Sequence, residues 1–566
     1  LVGKFFNAFA MTVASGIVLS YFVAIMFIPT IGARVLRHKE TKFHIKTEPM
    51  FRALDNGYVK VLKPLIKFKY VTVLVTFGFL VLSSKIFTNV GMDFVPAEDN
   101  SEFQITAKAQ VGTSITEMKK RMEPIMDAIK NDNMVDYYAL SIGYTTANES
   151  HKAMVYVKLK AIGERELGQA EVIENYREQF KSIQSITLAV EKLPVINTGG
   201  SNAPVQIVVT GDSLEKLSEI SQQVSQMLGG FEGAVDIDTD YQDGKPEITI
   251  SIIRLNTARL GITATQIAAL LNSNYSSDSK ISDFEQKGRE YDITLRFDDN
   301  SRANIDNIKK LQIRANNGEY VFLDGLINFE QSSSIATINR FDRERKVMIS
   351  SNVSNVPLDS IVDQVDANIA KLLPAGYHYT FAGEVEQMQE TAVSFGAAVG
   401  LAVVLIYLIL AALYESLIQP IIIMVTMPLA FTGVITALGL SGNNFSLFVM
   451  IGIILLLGMV GKNAILVVDF ANRAIKQGAS VDDALIQAGE KRLRPILMTT
   501  FAMVGAMMPL AFSSGAGHEM NSPMALSVIG GLISSTILAL LVVPAFYKIL
   551  YPVDSWLRKW YEVGKV

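Results

Sequence analysis

The chain has 566 residues, of which 49% are hydrophobic and 19% charged, and its mean hydropathy is +0.29. This composition is typical of a membrane protein with a large soluble part. The absence of cysteine from the sequence excludes disulfides, thiolate catalysis and cysteine-ligated metals. The net charge of −4 favours no class of partner, and no basic, aromatic-interleaved patch points to nucleic acid.

Seven segments reach the length of about 17–25 apolar residues that a membrane-spanning helix needs. In chain order they are residues 10–31, 70–87, 393–413, 418–440, 446–470, 495–512 and 524–550. The loop 32–69 carries ten Lys or Arg against three acidic residues, whereas 441–445 and 513–523 carry no Lys or Arg. By the positive-inside rule, the basic loops and the C-terminus are cytoplasmic and the soluble block, residues 88–391, lies outside.

Lys462 stands inside the fifth span, SLFVMIGIILLLGMVGKNAILVVDF. An ammonium at that depth costs about 2.5–3.5 kcal/mol on insertion scales, so it needs an anionic partner or a water-filled path. The alternative is snorkelling toward Asp469, which lies about 10 Å along the helix. None of the seven spans has an Asp or Glu in its middle, and the chain opens at Leu1 without an initiator Met or a signal peptide. We therefore expect a preceding half of a longer protein to supply the counter-charge.

The basic loop contains the sequence MFRALDNGYVKVLKPLIKF, in which apolar and basic residues alternate near helical spacing. This pattern predicts an interfacial amphipathic helix that is interrupted by Pro64, the alternative being a plain polar loop. Further along, Gly396 and Gly400 form a small-xxx-small pair that permits close helix packing in the third span.

The soluble block repeats one order of elements. Strands are predicted at 103–111, 135–142, 153–160 and 186–191, with helices that end near 130 and cover 168–180, the first capped by Thr113 or Ser114. The order β-α-β-β-α-β is that of a ferredoxin-like split βαβ unit.

A second unit of this kind begins with elements at 204–210, 213–228 and 234–238 and resumes at 346–353, 358–373 and 377–382. The insertion between its halves, residues 239–330, has a polar centre at 272–290 that looks poor in strands, like an arm that reaches a neighbour.

The string GKNAILVVDFANRAI, followed by RLRPILMTT and GAGHEMNSP, resembles the resistance–nodulation–division (RND) transporters. The likeness is to the AcrB-like inner-membrane pumps of the hydrophobe/amphiphile efflux branch, and LYESLIQPIIIMVTMPLA and FAGEVEQMQET match at corresponding places. It covers essentially the whole chain but only the C-terminal half of such a pump.

This resemblance implies a polytopic α-helical membrane protein with α+β external domains: seven transmembrane helices, two split βαβ porter subdomains and a docking insertion. The implied divisions are a first span (1–34), a cytoplasmic amphipathic segment (35–69), a span (70–90), porter subdomain 1 (91–202), porter subdomain 2 (203–238 and 331–388), the docking insertion (239–330), five spans (389–552) and a cytoplasmic tail (553–566).

The resemblance also implies a function. It is drug:proton antiport, without cofactors, by a homotrimer in the bacterial inner membrane, assembled with a periplasmic adaptor and an outer-membrane channel. Lys462, Arg492 and Thr499 match the proton relay, in which the lysine interacts with an aspartate pair of the missing half. Arg492 could instead be a positive-inside anchor, and Thr499 could bond back to its own helix.

Substrate contacts in this family come partly from aromatic residues of the first split βαβ unit. The matching stretch here supplies Tyr137, Tyr138, Ile142, Tyr144 and Tyr156. The family pattern is richer in Phe and has a longer glycine-rich loop, and strand alternation directs about half of these side chains into a core.

Other motifs have simpler explanations. Met118, Met122 and Met126 form an apolar helix stripe that favours core packing over a copper(I) site, and GMVGKN lacks the spacing of a phosphate loop. Two rivals to drug efflux remain: a metal-ion exporter of the same superfamily and a non-transporting membrane scaffold whose external arm binds partners.

Overall fold

The computed structural model describes residues 2–35, 42–88, 90–145, 147–183, 185–193, 201–242, 244–276, 280–334 and 337–563. The chain forms two compact units, one made of Leu1–Ala109, Ile115–Tyr241 and Asn339–Val566, the other of Gln110–Ser114 and Gln242–Ile338. Among the described residues, seven helices are long and apolar enough to cross a bilayer, which confirms the seven predicted spans.

The first two spans are joined by a long helix. The first span consists of α1 (Val2–Phe22), a π-helical turn (Val23–Phe27) and α2 (Ile28–Val35); α3 (Lys42–Lys67) and α4 (Lys69–Phe87) follow. The predicted interruption at Pro64 is wrong, because α3 continues through this residue and breaks only at Phe68 (φ −97°, ψ 43°). A proline inside a helix lacks an N–H donor and crowds the carbonyl four residues before it, but its own carbonyl stays an acceptor, and the Phe68 N–H donates to the Pro64 carbonyl at 2.8 Å.

The first sheet has the predicted β-α-β-β-α-β order. Its elements are β1 (Glu102–Lys108), α5 (Ile115–Lys130), β2 (Val135–Ile142), β3 (Lys152–Leu159), α6 (Gln169–Phe180) and β4 (Thr187–Lys192). The strands lie in the order β2-β3-β1-β4, with antiparallel neighbours. One face packs on the helices, and Met118 and Met122 of α5 are fully buried there with Ile105, as their spacing predicts.

The second sheet begins with β5 (Val205–Gly211), α7 (Leu214–Gly229) and β6 (Ala234–Thr239), before the insertion. The insertion contains β7 (Lys245–Ile252), α8 (Arg254–Leu260), α9 (Ala264–Tyr275), β8 (Lys280–Gln286), β9 (Arg289–Thr294), α10 (Asp299–Ala303), α11 (Asp306–Lys309), β10 (Gln312–Arg314), β11 (Tyr320–Phe322) and β12 (Ile327–Ser334). It has its own core around Ile267 and Leu323.

The structure corrects two expectations about the insertion. Its centre is not poor in strands: β8 and β9 form an antiparallel hairpin whose turn residues, Lys287 (φ 53°) and Gly288 (φ 72°), have the positive φ values of a type I′ turn. The predicted end at residue 330 falls inside β12, which pairs with β7 along its whole length. The strands β8 and β9 are exposed along their whole length and largely polar, so hydrophobic alternation did not reveal them.

The remaining elements complete the second sheet and the membrane bundle. They are β13 (Arg340–Phe341), β14 (Glu344–Val353), α12 (Leu358–Ile369), β15 (His378–Ala382), α13 (Glu384–Tyr414), α14 (Gln419–Met424), α15 (Thr426–Ser441), α16 (Leu447–Lys476), α17 (Val481–Ala511) and α18 (His518–Val563). In the sheet, β14 lies between β5 and β6, and β15 borders β5. The two sheets therefore repeat one strand order.

Close helix packing occurs between α15 and α18. A Cβ atom added to Gly433 would lie 2.2 Å from the Gly530 carbonyl oxygen, and one added to Gly530 would lie 2.5 Å from the Gly433 carbonyl oxygen. By contrast, a Cβ atom on Gly396 or Gly400 would meet nothing within 4 Å. The predicted small-residue contact on the third span is absent from the described part of the chain, and the glycine contact lies elsewhere in the bundle.

Candidate functional site

Lys462 lies on α16 among apolar neighbours. Its Nζ is 3.5 Å from the sulfur of Met503 on α17, a weak acceptor. Asp469, toward which the lysine could have snorkelled, pairs instead with Arg473 at 2.7 Å. Within the described ranges no carboxylate forms an ion pair with Lys462, so its counter-charge is not supplied there.

Arg492 and Thr499 lie on the face of α17 that also carries Met503. Residues seven and eleven positions apart share one face of a helix, so the three side chains follow one line of about 16 Å. The Arg492 guanidinium carbon lies 5.5 Å from the ring centroid of Phe470 on α16, and its buried Nε has no acceptor in the part of the chain that the structure describes. Contacts between α16 and α17 thus place Lys462 and Arg492 at the seam of these two helices, whereas Thr499 lies on the same face of α17 with an exposed side chain.

Thr499 makes the local bond that was the alternative to a relay role. Its hydroxyl donates to the Ile496 carbonyl of its own helix at 2.9 Å. Threonine commonly makes such a hydrogen bond to the preceding turn of its own helix. The bond does not change the face of α17 on which Thr499 lies, which is set by its spacing from Arg492 and Met503.

A buried polar triad beside Lys462 was missed by the sequence reasoning. The Asn463 amide nitrogen donates to the Thr536 hydroxyl at 3.1 Å, and the hydroxyls of Thr536 and Thr500 are 2.9 Å apart. All three side chains are buried, and the Asn463 carbonyl oxygen has no hydrogen-bond partner among the described residues. The triad joins α16, α17 and α18, and an amide inside an apolar span was the signal that could have found it.

Tyrosines gather on the face of the first sheet that is turned away from its helices. The rings of Tyr137 and Tyr156 lie 6.0 Å apart between centroids, and the Tyr156 hydroxyl donates to the Glu102 carboxylate. This hydrogen bond raises the pKa of Tyr156. Burial raises the pKa of Tyr144, and the carboxylates of Glu191 and others add to the effect.

The other two predicted contact residues lie differently. Strand alternation puts Tyr138 and Ile142 on the face opposite to Tyr137. Ile142 packs against the core between the sheet and its helices, together with Leu140. This placement favours a core role for Ile142 over contact with a substrate.

A cavity of about 880 Å³ opens between the first sheet, the second sheet and the start of α13. Its walls combine apolar residues, with Phe94, Ile173 and Val356 among them, with a similar share of polar and charged ones. Its charged lining residues are Asp93, Glu98, Glu171, Glu174, Glu384, Arg177 and Lys192. The Arg177 guanidinium pairs with Glu174 and, at 2.8 Å, with Asp236. The lining of the cavity therefore carries more carboxylates than cations. Such a space suits an amphiphilic molecule.

None of the five predicted substrate residues lines this cavity. Its walls come from segments about 290 positions apart in the chain, such as Asp93 and Glu384, and sequence patterns do not bring these together. Burial lowers the pKa of Lys192 in its wall.

Backbone and carboxylate hydrogen bonds beside the cavity connect the membrane helices to the second sheet. The Phe445 N–H donates to the Gly91 carbonyl at 2.7 Å, two residues before α16 begins. The Asp93 carboxylate accepts from the Leu358 N–H at 2.9 Å, at the first residue of α12. A Cβ atom on Gly91 would lie 2.1 Å from Pro357, so only glycine fits this crossing.

An apolar helix bundle that carries a lysine within one of its spans, joined to paired α/β sheets around a cavity of about 880 Å³, is typical of a multi-pass membrane transporter. The family model described as the AcrB/AcrD/AcrF family matches residues 1–551. The chain belongs to this family of RND transporters.

Known relatives extend beyond the chain. The multidrug resistance protein MdtC of Cronobacter sakazakii (strain ATCC BAA-894) is 28% identical over 555 residues, which is 97% of this chain and 54% of MdtC. Two crystal forms of a heavy metal efflux pump share the fold, with a TM-score of 0.81, 22% identity, and coverage of 89% of this chain and 52% of the pump. The chain therefore spans about half the length of the relatives it matches.

Proposed function

We propose that the chain is the C-terminal half of a proton-driven efflux pump that exports hydrophobic and amphiphilic compounds. The observation that supports this proposal best is Lys462, an ammonium on an apolar helix with no carboxylate partner in the described part of the chain, which shares the α16–α17 seam with Arg492. An intramembrane ionisable residue marks an ion path by default.

In this proposal, carboxylates of the preceding half pair with Lys462 when they are ionised and release it when one takes up a proton. Because an opposite charge nearby favours the ionised form, the lysine and the carboxylates have two distinct arrangements. The α16–α17 seam would repack between them. The Asn463 triad positions this seam by tying α16 to both α17 and α18.

The movement of α16 has a direct route to the external sheets. Its leading loop is bonded to Gly91 through Phe445, and the same linker holds α12 through Asp93. A shift of α16 would therefore act on the wall of the 880 Å³ cavity. We assign this cavity to the substrate path, with the tyrosine face of the first sheet as a second contact surface.

The assembly that we propose is a homotrimer in the bacterial inner membrane, with the sheets in the periplasm and an adaptor and an outer-membrane channel as partners. The hairpin formed by β8 and β9 supports an assembly role for the insertion, because its side chains are exposed on both strands and include Phe284 and Tyr291. A hairpin exposed in this way is suited to contact another chain.

The test is transport by the intact protein in sealed proteoliposomes with an internal pH indicator. An imposed proton gradient should drive a fluorescent amphiphile across the membrane, and the amphiphile should in turn accelerate proton flux. Metal ions as the only coupled substrate would establish the rival metal exporter. Proton flux that is independent of any substrate, or no flux at all, would contradict antiport.

The rival function, a metal-ion exporter, would need metal ligands. Met118 and Met122 cannot supply them, because both side chains are fully buried in the core of the first sheet.

A further inference from the structure

The long helix α3 packs against the membrane bundle along one side only. Leu62 and Ile66 are buried, and the Tyr58 hydroxyl donates to the Leu540 carbonyl of α18 at 2.7 Å. Gly489 of α17 leaves room for this contact, because a Cβ atom there would lie 2.7 Å from the Tyr58 ring. The contact anchors α3, and the side of residues 48–67 that faces away from it is exposed.

Both carboxylates of α3 turn toward the protein. The Arg494 guanidinium of α17 lies 3.0 Å from the Glu48 carboxylate and 2.7 Å from that of Asp55. The same guanidinium stacks over Phe51, with 5.3 Å between its carbon and the ring centroid. Since the sequence of α3 contains no other Asp or Glu, its outward surface is left without negative charge.

That outward surface is divided into two sectors of different chemistry. At about 100° per residue, Met50, Leu54 and Val61 fall within about 40° of one another, and all three are exposed. The exposed lysines Lys60, Lys63 and Lys67 fall within about 60° of one another. The apolar sector, the lysine sector and the packed side lie about a third of a turn apart.

We propose that α3 is a binding site for anionic phospholipids, with the apolar sector in the acyl region and the lysine sector on the headgroups. A helix with this division lies in the plane of the membrane interface. Lysines clustered next to a span attract acidic lipids, and here Arg494 keeps the carboxylates of α3 from cancelling that attraction. Aromatic anchors continue the site: Lys67 lies 5.7 Å from the ring centroid of Phe68, and Lys69 lies 5.2 Å from that of Tyr70.

An anionic lipid fits this surface better than a soluble acidic partner. A soluble partner would leave Met50, Leu54 and Val61 facing water, whereas a lipid covers the apolar and the basic sector together. The site is independent of the transported substrate, so it can be tested apart from the proposed efflux.

The test counts lipids that stay bound to the intact protein. The purified protein in nonionic detergent is mixed with phosphatidylglycerol or phosphatidylcholine of identical acyl chains and examined by native mass spectrometry. The unmodified protein should retain phosphatidylglycerol preferentially. Each lysine near an anionic surface contributes roughly fivefold, so K60Q/K63Q/K67Q should lose on the order of a hundredfold in this preference. K60R/K63R/K67R should keep it.

A matched control removes the same charge elsewhere. K119Q/K130Q/K216Q changes three exposed lysines of α5 and α7, the helices that pack on the two sheets, and should leave the preference intact. Equal retention of both lipids by the unmodified protein would overturn the proposal, and so would an unchanged preference in the glutamine variant. Loss of the preference in the arginine variant would also overturn it, because charge would then not be the cause.

Discussion

Thr536 is the residue on which the buried triad depends, since its hydroxyl serves both Asn463 and Thr500. Thr536→Val keeps the shape but leaves the Asn463 amide without its partner. We expect a loss of roughly 1–3 kcal/mol of stability, the usual cost of an unsatisfied buried polar group, together with reduced transport. Thermal unfolding in detergent measures the first effect.

The control for this substitution is Thr426→Val on α15. The hydroxyl of Thr426 is also buried, but it donates to the backbone carbonyl of Ile423, three residues earlier, and not to a side chain of another helix. Equal destabilisation by the two valines would show that the triad has no special role.

Tyr137 and Tyr156 are expected to contact substrates, since paired aromatic rings offer a large contact area to ligands of many shapes. Alanine at both positions should change resistance unevenly between drugs, as measured by growth inhibition across a panel. Leu140→Ala, which removes a side chain packed against the core of the same sheet, serves as the control. A uniform loss with poor expression in the tyrosine variant, as expected of the control, would mean that the rings are structural.

At the scale of elements, the contact between α15 and α18 requires glycine. Gly433→Ala would force a Cβ atom to within 2.2 Å of a backbone oxygen on α18, so the helices must separate and the unfolding temperature should fall. Gly396→Ala on α13 meets no described atom within 4 Å and should be neutral or stabilising by up to about 1 kcal/mol, because alanine is the better helix former. Thermal melting of both variants measures the difference. Equal melting temperatures for Gly433→Ala and Gly396→Ala would contradict a glycine-dependent contact between α15 and α18.

Most elements could be predicted because their patterns are local. The apolar spans, the β-α-β-β-α-β order and the methionine stripe each depend on residues within one or two turns of each other. The hairpin of β8 and β9 was not predictable in this way, since neither strand buries a face. The prediction at Pro64 failed because α3 is held by packing at Leu62 and Ile66, which outweighs one missing donor.

At the scale of the molecule, the prediction for the insertion can now be sharpened. Replacing residues 281–293 by a short Gly-Ser turn should weaken oligomerisation of the intact protein, because it removes the exposed side chains of β8 and β9. The membrane bundle should remain folded, and light scattering would give the oligomer mass. Phe284→Ser with Tyr291→Ser is a milder variant that keeps the hairpin. An unchanged mass after the deletion would contradict an assembly role.

The sequence could indicate the relay seam but not the cavity. Lys462 was identifiable because a charge in an apolar span is rare, and Arg492 and Thr499 follow it by resemblance. The cavity and the triad are products of tertiary packing, since their members come from separate elements whose approach no local pattern encodes. The tyrosines were identified by residue type, which does not show which face of a strand they occupy.

The central claim is that the charge of Lys462 couples protons to export, and Lys462→Met tests it most directly. Methionine keeps an apolar stem and removes a costly charge, so the intact variant should insert and assemble normally. It should lose drug-coupled proton flux in proteoliposomes, and Lys462→Arg should fail as well because a planar guanidinium does not replace a compact ammonium. Lys85→Met, an exposed lysine at the end of α4, should transport normally. Near-normal flux in the Lys462→Met variant would contradict the account and leave Lys462 as an interfacial anchor.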